Sequence, residues 1–357
     1  MKNVKKTISS VSVGTPLWAC ILLAVAVPAL HAVTYTSIDV PGAGTSPYQG
    51  TFALSINAGG AIAGNYYDPS GVSHGFERAA NSTITNFDPT GSTDTSAESI
   101  NTGGVIAGWF RDTSGVYHGF VRAANTTITN LDVPSAAGTF ATSINDAGTI
   151  AGWYYDASNG IHGFVRVGVS FTLFDAPGAG TAGYQGTYAT AIDTAGTVTG
   201  SYIDANNVYH GFVRTAAGVT TVFDAPGAGT GAYQGTYPYS INTAATTAGA
   251  YIDSSNVYHG FMRVVAGTIT TFNAPGANQG TVPSSINTAG AIAGYYFDPA
   301  SAFRSFDRAV NSTITTFEDP SAGTVGGTVA NSINASGDIA GSYYDSSGVV
   351  HGYLRTP

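Results

Sequence analysis

An Asp and a His six residues apart recur along this chain, and such a pair could ligate a metal ion or transfer a proton. Imidazole and carboxylate groups are common metal ligands and common general acids or bases. In one copy Arg304 replaces the His, and Arg shares with His only the ability to donate a hydrogen bond or a positive charge to a carboxylate. The pattern therefore favours a structural contact in every copy. The pairs are Asp68–His74, Asp112–His118, Asp156–His162, Asp204–His210, Asp253–His259, Asp298–Arg304 and Asp345–His351.

These pairs belong to a repeat that occurs seven times without internal gaps, with successive copies 44 to 49 residues apart. Each copy runs from an Asn through Gly, Asp and His to an Arg, as from Asn57 to Arg78. The Asn begins a predicted turn, and Asp193 replaces it in the fourth copy with the spacing unchanged. Turn chemistry accounts for both residues, because their side-chain oxygens accept hydrogen bonds from the backbone that follows.

Each copy predicts four short antiparallel strands. In the first copy we expect strands over residues 51–57, 61–67, 73–78 and 83–87, joined by tight turns. Four strands in a repeat of about 45 residues are typical of a β-propeller blade. No apolar stripe of helical period is present to support a helix. All variation in length falls in the link from one copy to the next.

The two ends of the array predict how it closes. Residues 35–40 match a fourth strand, whereas the chain finishes on a third strand at residues 351–355. The sequence therefore predicts an all-β fold, namely a seven-bladed β-propeller of four-stranded antiparallel blades. The N-terminal strand would complete the last blade and hide the strand edges that an open array exposes.

The first 32 residues predict a secretory signal peptide. Lys2, Lys5 and Lys6 form a basic start, an apolar run follows over residues 17–30, and Ala32 is a suitable last residue before cleavage. We therefore expect a secreted, extracellular protein in which residues 33–357 form a single propeller domain. The only Cys, Cys20, lies in the apolar run, so the mature chain would contain no disulfide.

The charge of residues 33–357 restricts the partners of this domain. Nine Arg and no Lys stand against 21 acidic residues, which gives a formal net charge of −12. An acidic surface disfavours nucleic acids and anionic membranes as partners. No apolar segment after the signal is long enough to span a membrane. We expect a monomer whose partner is an extracellular glycan or protein.

The phrases Ile-Asn-x-x-Gly-x-Ile-Ala-Gly, His-Gly-Phe and Phe-Asp-x-Pro-Gly resemble the bacterial "probable extracellular repeat, HAF family". The resemblance covers all seven repeats. This chain has Gly after the His where the family has Ala, and Arg two residues after the Phe where the family tends to have Trp. The resemblance implies a secreted bacterial repeat protein, and it provides no support for a catalytic site.

Candidate ligand-binding residues are those that the repeat does not share. Trp109 and Trp153 occupy a position that is Asn65 or Ser201 in other copies, and Arg111 replaces an aromatic or aliphatic residue. Aromatic faces interleaved with polar groups are typical of sugar-binding surfaces. The alternative is that both Trp side chains fill gaps between blades. The three longest links add a shared Tyr-Gln pair, at Tyr48–Gln49, Tyr184–Gln185 and Tyr233–Gln234.

The leading functional hypothesis is a non-catalytic extracellular binding module for a glycan or a surface protein. A structural or adhesive component of the cell envelope is the first alternative, and a polysaccharide-active enzyme is the second. A hydrolase needs two suitably placed carboxylates, and the acids outside the repeat pattern are scattered. We expect no cofactor, although the Asp turns leave weak calcium binding open. The scattered acids are Glu77, Asp94, Glu98, Asp146, Asp307, Asp319 and Asp338.

Overall fold

The structure is a computed structural model that describes residues 32–324 and 326–357. The predicted signal peptide, apart from Ala32, lies outside the described residues. Residues 33–357 form one compact unit. The described residues contain 28 β-strands and no helix, so no helix among them could cross a membrane. The prediction of an all-β fold is confirmed.

The strands pair antiparallel in groups of four, one group for each sequence repeat, and we call these groups units 1 to 7. Unit 1 comprises β2 (Gly50–Ile56), β3 (Ile62–Tyr67), β4 (Ser73–Arg78) and β5 (Ile84–Phe87), and unit 2 comprises β6 (Ser92–Ile100), β7 (Ile106–Asp112), β8 (Tyr117–Arg122) and β9 (Ile128–Leu131). Unit 3 comprises β10 (Gly138–Ile144), β11 (Ile150–Tyr155), β12 (Ile161–Val167) and β13 (Ser170–Phe174). Unit 4 comprises β14 (Gly186–Ile192), β15 (Val198–Ile203), β16 (Tyr209–Arg214) and β17 (Thr220–Phe223).

The last three units have the same construction. Unit 5 comprises β18 (Gly235–Ile241), β19 (Thr247–Ile252), β20 (Tyr258–Arg263) and β21 (Ile269–Phe272). Unit 6 comprises β22 (Gly280–Ile286), β23 (Ile292–Phe297), β24 (Phe303–Arg308) and β25 (Ile314–Phe317). Unit 7 comprises β26 (Gly327–Ile333), β27 (Ile339–Tyr344), β28 (Val350–Thr356) and β1 (Thr34–Ile38). Unit 7 thus takes its fourth strand from the start of the described chain, where β1 pairs with β28 over five residues.

The phrases Ile-Ala-Gly and His-Gly-Phe are explained by packing inside each unit. The Phe76 ring is fully buried and lies over Gly64 of the neighbouring strand. A Cβ atom on Gly64 would clash with the carbonyl oxygen of Phe52 and would lie 2.9 Å from the Phe76 ring. The same Phe is fully buried in units 2 to 6, and Tyr353 replaces it in unit 7.

The closing Arg of a unit packs against the preceding unit. The Arg122 guanidinium lies 4.7 Å from the centre of the Phe87 ring, which belongs to the fourth strand of unit 1. Equivalent cation–π contacts of 4.4 to 4.9 Å occur for Arg214, Arg263, Arg308 and Arg355. Because these Arg side chains are buried, a contact that desolvates the cation contributes more than one at the surface.

Asn side chains link the turns between first and second strands of neighbouring units at six junctions in the described chain. The Asn57 Oδ1 accepts hydrogen bonds from Gly59 and Ala61, as turn chemistry predicts. Its Nδ2, however, donates 2.9 Å to the backbone carbonyl of Asn101 in the next unit. Turn chemistry alone therefore does not account for these residues. They surround a cavity of about 240 Å³.

Candidate functional site

Five of the six His side chains in the described residues lie between two carboxylates rather than one, whereas the second partner of His259 is the side-chain oxygen of Asn273. The His74 Nε2 atom is 3.6 Å from Asp68 Oδ2, and its Nδ1 atom is 2.7 Å from Asp88 Oδ2 at the end of the fourth strand. Arg304 reproduces this arrangement with contacts of 2.9 Å to Asp298 and 2.6 Å to Glu318. The second partner was not predicted, although in units 1 to 6 it follows the His or Arg304 by 13 or 14 residues. The other predicted pairs lie 3.2 to 3.7 Å apart, at His118, His162, His210, His259 and His351.

The first acid of each pair also holds its own turn. The Asp68 Oδ1 atom accepts hydrogen bonds from the backbone of Ser70 and Val72. The Ser70 hydroxyl, followed by the Val72 amide, lowers the pKa of Asp68 to about 2. In the described residues no group of three or more His, Cys, Asp and Glu side chains could hold a metal ion. This geometry supports a structural role for the pairs.

The acids outside the repeat pattern are dispersed among separate contacts. Glu77 pairs with Arg122 at 2.6 Å, and Asp307 pairs with Arg355 at 3.1 Å. Asp146 accepts a hydrogen bond from the backbone of Thr102. Asp319 accepts from the backbone of Ser321, and Asp338 accepts from the side chain of Asn334. Five of the seven acids therefore make contacts within or between units, and Asp94 lies opposite Arg111 in the strand register.

Trp109 and Trp153 lie in one row of aromatic side chains that crosses units 2 to 4. The Phe140 ring stacks on Trp153 with centroids 4.0 Å apart and lies 5.7 Å from Trp109. Tyr188 continues the row from Trp153 at 5.2 Å. Both indoles are partly exposed. They thus pack between units, as one of the two alternatives predicts, without being fully buried, and the ligand-binding alternative stays a prediction. We call Trp109, Phe140, Trp153 and Tyr188 the aromatic row.

Glu98 is held at the start of this row. Its Oε1 atom accepts hydrogen bonds from the Trp109 indole at 2.8 Å and from the Ser96 hydroxyl at 2.7 Å. Burial raises the pKa of Glu98. Glu98 is the extra residue of a β-bulge in the first strand, at the break in register between Ala97 and Ser99. The corresponding position is Leu54, Thr142 or Tyr239 in other units, so the sequence marked Glu98 as an exception to the repeat but did not indicate its contact with Trp109.

Arg111 lies beside the row rather than in it. Its guanidinium is 5.9 Å from the centre of the Tyr117 ring, which in turn lies 4.9 Å from Phe140. Arg111 is exposed, and its Nε donates to the carbonyl of Gly115 at 3.4 Å. The row therefore has a carboxylate at Glu98 and a cation at Arg111 nearby.

A second group of phenols follows on units 4 to 6. Tyr209 and Tyr237 stack with centroids 4.3 Å apart. Burial, and to a smaller extent the neighbouring phenols of Tyr295 and Tyr258, raise the pKa of Tyr239. These residues were not predicted. A phenol hydroxyl can both donate and accept hydrogen bonds.

The Gln of each long link supports the loop rather than presenting its amide to a ligand. The Gln185 Nε2 atom donates to Asn207 Oδ1 at 3.0 Å, and Gln234 Nε2 donates to Asn256 Oδ1 at 2.9 Å. Gln49 Nε2 donates to the carbonyl of Pro69 at 3.2 Å. In each case Oε1 also accepts from a backbone amide of its own loop. We therefore place the three Gln in the loop scaffold.

The three link tyrosines differ from the Gln residues because they project outward. Tyr48, Tyr184 and Tyr233 are 75%, 64% and 66% exposed. Tyr48 also lines a cleft of about 450 Å³, together with Phe303, Tyr344 and Asp345. This volume lies within the range of small-molecule sites.

Comparisons with known proteins identify the architecture. No protein-family model matches the chain, and no curated protein matches it. Solved structures do match, and virginiamycin B lyase from Staphylococcus aureus superposes with a TM-score of 0.59 at 14% identity, over 91% of this chain and 100% of that one. The lectin BP39L from Burkholderia pseudomallei gives 0.54 at 10% identity, over 86% and 96%. The Aleuria aurantia lectin, described as a six-bladed β-propeller, gives 0.45 at 12%, over 79% and 96%. The chain shares its overall fold with the first two of these proteins, and its repeated four-stranded antiparallel units give it a propeller-like all-β architecture.

Proposed function

We propose that units 1 to 7 are the blades of a closed seven-bladed β-propeller that is secreted by a bacterium and binds an extracellular glycan or surface protein without a catalytic step. Pairing of β1 and β28 supports the closed form, as does the Asn334 side chain, which donates 3.3 Å to the carbonyl of Asn57 in unit 1. The signal-like N-terminus and the resemblance to an extracellular repeat family support secretion.

The aromatic row carries the proposal for binding. Indole and phenol faces stack on the C–H faces of sugar rings, and neighbouring polar groups take the hydroxyls. Trp109 and Trp153 retain exposed surface although they are packed against Phe140. Glu98 and Arg111 supply an acceptor and a donor beside them. A folding role alone would not require large aromatic residues to remain partly in solvent.

Ligand binding at the aromatic row can be tested by the tryptophan fluorescence of the row. Of the three Trp in the sequence, only Trp109 and Trp153 lie beyond residue 32, so all indole emission of residues 33–357 comes from the row. We expect saturable quenching or a spectral shift when a binding glycan is titrated into the protein. A glycan array identifies candidate glycan ligands for this titration. An array of extracellular surface proteins tests for a protein ligand in the same way.

The decisive variant is Trp153→Ala, because it removes the central stacking face and leaves the Trp109–Glu98 hydrogen bond in place. We expect at least a tenfold loss of affinity, about 1.4 kcal/mol or more. Phe171→Ala is the control, since Phe171 is a partly buried aromatic residue on the outer strand β13. Unchanged affinity of folded Trp153→Ala would refute the row as the binding site.

The alternatives predict other outcomes in the same assays. A structural or adhesive component would show no saturable glycan or protein binding and no indole response. A polysaccharide-active enzyme would release shorter products from a bound glycan. The solved structures that share the fold include a protein named as a lectin and one named as a lyase, so the fold itself favours neither function.

A further inference from the structure

The three long links have one construction at three places. The backbone amide of each Tyr donates to a carbonyl in the preceding unit, at Gly348, Asn159 and Asn207, over 2.7 to 2.8 Å. The adjacent Gln side chain donates to the turn of the following unit. Each loop is therefore fixed on both sides before any partner binds, and a preformed site avoids the entropic cost of ordering a loop.

The backbone of each link Tyr adopts a conformation that its side chain disfavours. The φ angles of Tyr48, Tyr184 and Tyr233 are 66°, 65° and 64°. A left-handed conformation is uncommon for a bulky residue and costs on the order of 1 kcal/mol or more. Glycine would occupy such a position without this cost. Tyr48 and Tyr184 each have one aromatic neighbour, with centroids 6.4 and 6.2 Å apart, but most of each link Tyr side chain is exposed, so burial offsets little of the strain.

The charge on the surface limits the class of partner. Among the nine Arg, six are buried and Arg304 is paired with two acids, while Arg166 is partly buried near Phe171. Arg111 is the one exposed Arg in the described part of the chain. With a net charge of −12 for residues 33–357, polyanionic polymers are repelled. A neutral polymer with exposed C–H faces avoids this repulsion.

We propose that the three link tyrosines are equivalent contact points for a neutral polysaccharide. The protein then binds one polymer at several sites in addition to the aromatic row. This inference rests on the proposed glycan-binding function. Its mechanism is multivalency, in which the second and third contacts form at a high effective concentration after the first. The cleft beside Tyr48 offers Asp345 as an acceptor for sugar hydroxyls.

The test uses beads of chitin, cellulose, xylan and mannan, together with the hexasaccharides of the same four polymers. The variant is Tyr48→Gly/Tyr184→Gly/Tyr233→Gly, which should fold at least as stably because Gly relieves the strained φ. We expect it to lose at least tenfold in affinity for beads that retain the wild-type protein, with hexasaccharide quenching of the row unchanged. The triple Tyr→Phe variant, which keeps the rings, should retain most of the binding.

Thr126→Gly is the matched control, because Thr126 is an exposed residue at φ 72° in a turn outside the links. Equal retention of the wild-type and triple Gly proteins, with indole quenching by a hexasaccharide, would overturn the link inference and leave the proposed function standing. If none of the four polymers retains the wild-type protein and none of their hexasaccharides quenches its indole fluorescence, the neutral-polysaccharide inference is overturned. The glycan and protein arrays test the proposed function separately.

Discussion

The side chain of Asn334 in unit 7 donates a hydrogen bond to the backbone carbonyl of Asn57 in unit 1, across 3.3 Å. The same bond joins five other pairs of neighbouring units over 2.9 to 3.1 Å. A Ser hydroxyl two residues earlier accepts from the backbone of the next unit at the same six junctions. Only the junction of units 4 and 5 lacks both bonds in the described chain. There, Asp193 and Ala191 replace Asn and Ser.

Repairing this junction should stabilise the protein. We expect Ala191→Ser/Asp193→Asn to raise the free energy of unfolding, because each restored hydrogen bond contributes about 0.5–1.5 kcal/mol. Differential scanning calorimetry measures the shift in Tm. The reciprocal variant Ser143→Ala/Asn145→Asp creates the same gap between units 3 and 4 and should lower Tm. An unchanged or lower Tm of the Ala191→Ser/Asp193→Asn protein would contradict the claim that these hydrogen bonds between units stabilise the fold.

The turn acids should make stability fall in acid. The pKa of Asp68 is lowered from 3.8 to about 2 in the folded state, and backbone amides lower the pKa of Asp112, Asp156 and Asp253. A folded pKa below the unfolded one gives stability that is present above about pH 4. It is lost as pH falls toward 2.

Thermal melts between pH 7 and pH 2 measure this effect. We expect Tm to decline most steeply below about pH 4. Asp68→Asn removes one of the depressed carboxyl groups, so its Tm should be lower at pH 7 and should change less between pH 4 and 2. A slope identical to that of the wild type would show that Asp68 does not contribute.

Glu98 should show the opposite dependence on pH. Burial raises its pKa, so folding favours the protonated form, and the associated stability is lost as pH rises through the folded pKa. Glu98→Gln should therefore raise Tm at pH 7, while the Gln oxygen can still accept from Trp109. In a Trp153→Phe background, Trp109 fluorescence should titrate above the usual Glu range, and Glu98→Gln should abolish that transition. Persistence of the transition would assign it to another group.

Gly64 should tolerate no side chain. A Cβ atom there would clash with the Phe52 carbonyl and crowd the Phe76 ring, so Gly64→Ala should destabilise the protein by about 3 kcal/mol or more, at the upper end for overpacking. Gly59→Ala is the control, since its Cβ would lie 3.4 Å from the nearest atom, Asn57 Oδ1. Chemical denaturation compares the two variants, and equal costs would argue against the packing explanation.

The repeat pattern was enough to predict the strands of a unit to within one residue in the first copy. Residues 61–67 and 83–87 were expected to be strands, and the structure has Ile62–Tyr67 and Ile84–Phe87. Turn and strand signals act over a few residues, so they can be read directly from the chain. The pairing of Asp68 with His74 was likewise expected, because a single hairpin joins them.

Contacts between units could not be predicted in the same way. The Asn57 Nδ2 bond and the Arg122–Phe87 stack depend on which strand edges meet after folding. The sequence indicated that Trp109 and Trp153 were exceptions, but only the structure brought them to either side of Phe140.

The sequence by itself therefore determined the strand order, the turn residues and the positions that depart from the repeat. The tertiary structure decided which of those positions become neighbours and which remain exposed. It placed the Gln side chains in the loop scaffold and left the link tyrosines in solvent. The physical reason is that a turn or strand is specified by adjacent residues, whereas contacts between units join residues of different repeats and arise only when the units pack.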